Sequence, residues 1–318
     1  MDQYTLGVLA AFATVFSWSF GTLSFTKASR LVEPSVLNKF RLMLAVVALT
    51  IIASVVTQQS PLYLFTSPRA QSWIWLGLSG IIGLTIGDYF VFTAFKILGA
   101  ARGSMFSTIS PAAALITGYL MLDERISFIG FMGMSVTMFG IMWLLSSREQ
   151  KEQAAAENHG NYTKGIVMGI ASACCQGIGL VMAKKGMMDH GERIISPIDA
   201  TWIRMLMAFG SIYLIDLIRR KDVWFIQPIV QHKEAIKYIL MGTLFGPVIG
   251  VALSLLAASS IDVSVAQTIL SLVPMIVFPL SAFLYKTPFT LKMLLSVLIA
   301  IAGVMVLIWQ DRIITLLG

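Results

Sequence analysis

The segments GLTIGDYFVFTAF (residues 83–95) and GPVIGVALSLLAA (residues 246–258) align without a gap, with Gly83 on Gly246, Gly87 on Gly250 and Ala94 on Ala257. The same offset of 163 pairs Pro34 with Pro197, Arg41 with Arg204, Pro111 with Pro274 and Gly140 with Gly303. In the first apolar stretch the offset becomes 158 and pairs Gly7 with Gly165, Ala13 with Ala171, Gly21 with Gly179 and Lys27 with Lys185. The change of offset falls in a loop, where insertions are tolerated. The chain is therefore an internal repeat, and a repeat decides architecture before any local feature does.

The solvent of this repeat follows from composition. Of 318 residues, 57% are hydrophobic and 12% charged, with a mean hydropathy of +0.82. That is too apolar for one water-soluble core and places the chain in a bilayer. A spanning helix needs about 20 mostly apolar residues to cross roughly 30 Å of hydrocarbon. Such stretches run near Thr5–Phe25, Ser35–Val56, Ser72–Phe95, Gly103–Leu122, Phe128–Leu145, Gly165–Lys184, Pro197–Leu217, Ala235–Leu256, Val263–Leu284 and Leu291–Ile308. Long apolar runs, frequent glycine and no regular alternation favour helices over a barrel. The first stretch lacks a basic leader and a small-residue cleavage site, so it is expected to be a retained helix.

The expected fold is an all-α membrane protein with ten transmembrane helices. Five helices per half is an odd number, so the second half enters the membrane from the opposite side. The two inverted five-helix repeats, residues 1–146 and 165–318, are expected to surround a central cavity. Between them SSREQKEQAAAENHGNYTKG (residues 146–165) contains the polar linker, residues 147–164.

A net charge of +7 raises the question of nucleic acid, but the basic residues sit at helix ends, mostly on one side. Lys27, Arg30, Lys39, Arg41, Lys96, Arg102, Lys164 and Lys237 belong to that side; Arg69, Arg125, Lys184, Lys185 and Arg193 lie opposite. The positive-inside rule puts the richer side in the cytoplasm and both termini outside, and no nucleic-acid partner is expected. Cys174 and Cys175 are helix neighbours about 100° apart, which cannot form an ordinary bridge and read as packing residues. His159, His190 and His232 all fall in loops, so no metal and no cofactor is expected.

Further motifs carry a resemblance. FATVFSWSFGTLSFTKAS (residues 12–29) holds Trp18, Ser19, Gly21 and Lys27; EPSVLNKFRLMLA (residues 33–45) holds Pro34 and Arg41; the stretch from Ala100 to Gly140 holds Pro111, Glu124, Gly133 and Gly140. In order, spacing and duplication, these resemble the EamA-like family of the drug/metabolite transporter superfamily over nearly the whole chain. The second half departs from the pattern, with Thr287 aligned on Glu124, Ser296 on Gly133 and Gln176 on Trp18. The resemblance implies ten helices around a cavity, export or exchange of small metabolites, and cytoplasmic termini, opposite to the charge count.

The candidate residues follow from the cost of polar groups in lipid. Asp88 sits mid-helix, where a carboxylate costs roughly 2.5–3.5 kcal/mol on insertion scales, so it is expected to face a wet interior and to have a partner. Arg41 and Lys96 are the candidate partners, and its repeat counterpart is Val251. Arg41 and Arg204 either snorkel to the headgroups or close gates, Arg204 with Glu124 and Arg41 with Asp262 or Asp88. The glycines at 83, 87, 242, 246 and 250 read as close helix contacts. Pro111 and Pro274 are expected to interrupt the fourth and ninth helices near their middles and free carbonyls, with Ser107, Ser110, Gln267 and Ser271 as polar contacts. Trp18 and Gln176, with Tyr89 and Tyr119, complete an apolar cavity with a few polar points.

The expected activity is secondary transport of a small organic solute by alternating access, coupled to protons through Asp88, in the cell (inner) membrane. No catalytic residue is expected. The alternative is a membrane-embedded enzyme acting on a lipid or lipid-linked substrate.

Overall fold

The computed structural model describes residues 2–145, 161–218, 232–285 and 291–317. Residues 147–160 of the expected linker lie outside these residues, as do Thr287 and His159, and its last three residues, Tyr162 to Lys164, already belong to a helix. The long helices are α1 (Gln3–Leu31), α2 (Pro34–Thr57), α3 (Ala70–Gly99), α4 (Arg102–Leu122), α5 (Phe128–Leu145), α6 (Tyr162–Met187), α7 (Pro197–Ile218), α8 (Lys233–Ser260), α9 (Val263–Leu270, resuming at Val273–Tyr285) and α10 (Leu291–Ile308). Among the described residues seven of these, α1 to α4 and α6 to α8, are long and apolar enough to cross a membrane. The segments Phe128–Trp143, Val263–Val277 and Leu294–Ile308 are apolar but shorter. A two-strand hairpin, β1 (Met188–Asp189) and β2 (Glu192–Arg193), links α6 to α7. Its loop residues His190 and Gly191 both have positive φ, at 48° and 86°, as the tightest hairpin turn requires.

Helices α1 and α6 form the centre because one face of each is built from small residues. In α1 this face is Gly7, Ala11, Thr14, Ser17, Gly21, Ser24 and Ala28; in α6 it is Gly165, Gly169, Ala173, Gly177 and Ala183, all buried. Spacing of three and four residues puts them on one stripe, and small side chains let helix backbones close in lipid, where no hydrophobic drive exists. Helix α1 lies antiparallel against α8, with Gly7 beside Ser260 and Gly21 against Gly246. Helix α6 lies antiparallel against α3 in the same way, with Gly165 beside Leu98 and Gly179 against Gly83. The two crossings are equivalent under the sequence offsets, glycine meeting glycine in both.

The remaining pairs obey the same relation. Helices α2 and α7 are repeat counterparts and run antiparallel: the Trp202 indole N–H donates to Thr50 Oγ1 at 2.7 Å near one end, and Lys39 pairs with Asp216 near the other. Counterparts α5 and α10 are also antiparallel, Gly133 meeting Leu307 and Gly140 meeting Ala300.

Both α3 and α8 widen midway into a turn with five-residue hydrogen-bond spacing, at Gly80–Gly87 and Leu244–Val251. These stretches correspond to within one residue under the 163 offset. In α8 the cause is Pro247, which has no N–H for the regular ladder. In α3 no proline is present, and the widened turn is supported by side chains from other helices that cap its carbonyls. Such bulges commonly mark functional segments.

Helices α4 and α9 break at equivalent places. A tighter turn, Phe106–Ile109, precedes Pro111, and α9 stops at Leu270 before resuming ahead of Pro274. Each proline thus sits in the first turn of the following helical piece, where its missing N–H is an orphan anyway. The expected interruption of both helices is present, and it falls just before each proline. The ring of each would clash with the carbonyl four residues earlier, so the break falls before it.

Contacts between backbones at the α5–α10 seam give a test. A methyl at Gly303 would stand 2.5 Å from the Thr137 backbone nitrogen and 2.7 Å from the Gly133 carbonyl oxygen, whereas a methyl at Gly210 meets nothing within 4 Å. Gly303→Ala is expected to cost about 1–3 kcal/mol through overpacking and to lower the thermal midpoint in detergent. Gly210→Ala is expected to leave it unchanged or raise it.

Candidate functional site

A cavity of about 160 Å³ lies between the two halves. Its walls come from α1, α2, α3 and α4 on one side and α6, α8 and α9 on the other. The apolar part is aromatic: Trp18, Phe25, Phe92, Phe95 and Phe106. The polar part is Arg41, Asp88, Ser104, Ser107, Ser110, Gln176 and Gln267.

Asp88 begins the helical piece that follows the widened turn of α3, and Arg41 reaches it from α2 as an ion pair. The second carboxylate oxygen accepts from the Gln176 amide at 2.9 Å, and the other hydrogen of that amide goes to the Gly83 carbonyl at 3.2 Å. Arg41 is positioned in turn by Asn38: its Nε donates to Asn38 Oδ1 at 2.9 Å, and Asn38 Nδ2 donates to the Leu84 carbonyl at 2.9 Å. The guanidinium carbon lies 5.0 Å from the Phe92 ring centroid and 5.7 Å from that of Phe25. Two ring faces thus attract a cation that is only 2% exposed. The sequence offered Arg41 and Lys96 as partners for Asp88, and the structure selects Arg41; Lys96 bonds Glu33 at 2.8 Å near the surface.

Arg204, the repeat counterpart of Arg41, is 3% exposed and lies beneath the widened turn of α3. A methyl at Gly83 would meet its Nη2 at 3.3 Å. Its Nε has no hydrogen-bond partner. Its expected pairing with Glu124 is corrected: Glu124 pairs with Lys184 at 2.7 Å and accepts from the Val263 N–H at 2.8 Å. The physical reason is depth, since Glu124 follows the end of α4 while Arg204 lies two turns inside α7. Asp262 is excluded as the partner of Arg41 on the same grounds, because it precedes α9 at the Glu124 end.

Six of the eight expected solute contacts line the cavity: Trp18, Asp88, Ser107, Ser110, Gln176 and Gln267. Tyr89 does not, being 40% exposed on the outer face of α3, and Tyr119 is 54% exposed on α4. Adjacent helical residues diverge by about 100°, so an inward Asp88 turns its neighbour outward. Ser271 is buried in the break of α9, where its hydroxyl donates to the Thr268 carbonyl at 2.6 Å. Pro111 and Pro274 lie behind the wall rather than on it. Asn38, Phe25, Phe92 and Lys184 were not singled out beforehand, although an Asn three residues before an intramembrane Arg is a readable sign of a second hydrogen-bonding group on the same face.

The cavity sits between two unlike ends. Its lining residues lie in the parts of the helices leading to the α1–α2 corner, where Lys96 meets Glu33 and Lys39 meets Asp216. At the other end the chain is fastened by Lys184 on Glu124, by Lys184 on the Ile261 carbonyl at 2.8 Å, and by Lys185 on the Met121 carbonyl at 3.3 Å.

Comparison with known proteins agrees with this geometry. The sequence profile of the EamA-like transporter family matches residues 5–146 and again residues 163–309. The chain belongs to the EamA-like transporter family and is a multi-pass membrane protein. Among curated proteins it is similar to the uncharacterized inner membrane transporter YhbE of Escherichia coli strain K12, and to the proteins of that name in Escherichia coli O157:H7 and Shigella flexneri. Each is 21% identical over 173 residues, covering 54% of this chain and 52% of the relative. The chain thus spans about half the length of the curated relatives it matches. A solved crystal structure shares the fold with a TM-score of 0.69 at 18% identity, covering 97% of this chain and 98% of the other.

The pair at the centre predicts an order of stabilities. Asp88 is shared by Arg41, Gln176 and the field of Arg204, so its loss leaves two buried cations without their common anion. Breaking a buried pair by removing one partner costs about 3–5 kcal/mol. Asp88→Leu is expected to lower the thermal midpoint more than Arg41→Met does, and the Arg41→Met/Asp88→Leu double to fall between them. Equal losses for both single variants contradict the sharing.

Proposed function

We propose that this chain is a secondary active transporter of a small organic solute, working by alternating access in the cell inner membrane. The observation that carries this reading is the position of the cavity: between two similar halves, lined with polar groups, with the Lys184–Glu124 pair fastening one end of the bundle. Membership in the EamA-like transporter family and similarity to a protein described as an inner membrane transporter support it.

The mechanism rests on two five-helix repeats of opposite orientation, residues 1–146 and 165–318 around the linker 147–164, making ten crossings. Antiparallel packing of the counterpart pairs α2–α7 and α5–α10 supports that arrangement, since a two-fold axis in the membrane plane brings equivalent helices together head to tail. Rocking of one half against the other about the glycine crossings exposes the cavity first at one end and then at the other. The polar fastening at the Glu124 end opens as the α1–α2 corner closes. Loss of a hydrogen-bonded ion pair at one end is offset by contacts formed at the other, which keeps the two states within a few kcal/mol.

Asp88 couples this motion to protons. A proton on its carboxylate removes the charge that holds Arg41 and frees the guanidinium to move. Binding of a proton and reorientation of α2 are then one event.

Proteoliposomes incubated with a metabolite mixture, with the lumen analysed by mass spectrometry, test the reading. The expected result is unmodified solute accumulating inside, saturating with concentration and responding to a pH gradient. Asp88→Asn keeps the size of the side chain and its contact with Gln176, and is expected to retain solute binding while losing the response to the gradient. Covalently altered products without accumulation support instead an enzyme acting within the membrane. An unchanged pH response in the Asn variant would falsify the coupling role.

A further inference from the structure

The buried charges do not balance. Lys39 has Asp216, and Lys184 has Glu124. At the cavity Arg41 pairs with Asp88, while Arg204, packed against the widened turn of α3, is a second cation whose field reaches the same carboxylate. Two cations and one anion leave one positive charge without a counterion among the described residues. Arg204 shows it most plainly, with 3% exposure, no hydrogen bond or ion pair from its side chain among the described residues, and an orphaned Nε. Guanidinium groups keep their proton under all ordinary conditions, so the imbalance is not relieved by titration of either arginine.

An uncompensated cation in low dielectric costs several kcal/mol unless something supplies the missing charge. Three observations indicate that the solute does so. Arg41 lines the cavity and bonds protein partners only through Nε and Nη2, so its Nη1 makes no such bond. Gln267, 4% exposed, also lines the cavity and carries an amide N–H donor group there. The intervening wall is aromatic, from Trp18, Phe25, Phe92, Phe95 and Phe106, and suits a flat apolar body. A cavity of about 160 Å³ is of the size that holds a single benzene ring in an apolar protein core.

We propose that the solute is a small organic anion with one carboxylate and an apolar, ring-sized body, its negative charge compensating the excess cation shared by Arg41 and Arg204. A carboxylate presents two acceptors in the plane of the guanidinium fork, the geometry arginine binds best. A zwitterion of the same size brings no net charge and leaves the imbalance in place. This deepens the transporter reading above and rests on it for the word solute, but the binding step stands alone.

The test is thermal unfolding of the purified full-length chain in detergent with benzoate, benzamide, phenylglycine or sodium chloride as probe. Benzoate is expected to raise the midpoint by a few degrees, and the neutral amide, the zwitterion and chloride to raise it less or not at all. In Arg204→Met the excess charge is gone, so the ligand-free midpoint is expected to rise and the benzoate shift to disappear; Arg204→Lys is expected to restore both to wild-type behaviour. An equal shift with benzamide, phenylglycine or chloride overturns the proposal, as does an Arg204→Met protein that is destabilised without ligand or still responds to benzoate. Flux without benzoate binding defeats this inference alone, whereas benzoate binding without any flux defeats the transporter reading alone.

Discussion

Placing a carboxylate in the middle of a lipid-embedded helix is costly, and much of the central architecture follows from meeting that cost. Asp88 needs a cation, which fixes Arg41 on α2 against α3. Arg41 needs its Nε occupied, which brings Asn38 onto the carbonyls of the widened turn. The widened turn needs acceptors satisfied from outside α3, which draws in Gln176 from α6 and so ties the second half of the chain to the first. The close α3–α6 contact that allows this is made by Gly179 on Gly83. One buried charge thereby links three helices and both halves.

The two halves are alike in backbone and unlike in chemistry, and the differences concentrate at the cavity. Where the first half has Arg41, Asp88 and Gln176 as its partner across the seam, the second has Arg204, Val251 and Trp18 at the corresponding places. A methyl at Gly250 would fall on the Trp18 ring, as one at Gly87 would crowd Gln176 and Cys175. The scaffold repeats, and the site does not. A wholly symmetric polar cavity would carry two full charge clusters, doubling the desolvation cost with no gain in recognition. Breaking the symmetry leaves one charge cluster with aromatic rings packed beside it.

Most of the helix pattern was legible in the sequence because length and hydropathy control it, and the repeat was legible because glycine and proline keep their spacing. The site was legible in part. Asp88, Arg41, Gln176 and Trp18 stand out as polar or bulky residues within apolar runs, and the structure brings them together. Tyr89 and Tyr119 misled because an aromatic with a hydroxyl suits a cavity or a lipid face equally well, and only helix phase decides. The Arg204–Glu124 pairing failed on depth, which follows from where α4 ends. The widened turns were hidden altogether: Pro247 hints at one, but the turn in α3 arises from tertiary capping that no local pattern encodes.

The decisive question is whether the two ends of the cavity open in turn. Ser107 lines the cavity and can be changed to cysteine in a chain whose Cys174 and Cys175 have been replaced by alanine. A membrane-impermeant maleimide is then applied from one face of sealed vesicles and, separately, from the other. Labelling from both faces, each reaching only part of the population at a given moment, is the outcome expected of alternating access. Labelling from one face alone under every condition of pH and solute would contradict it.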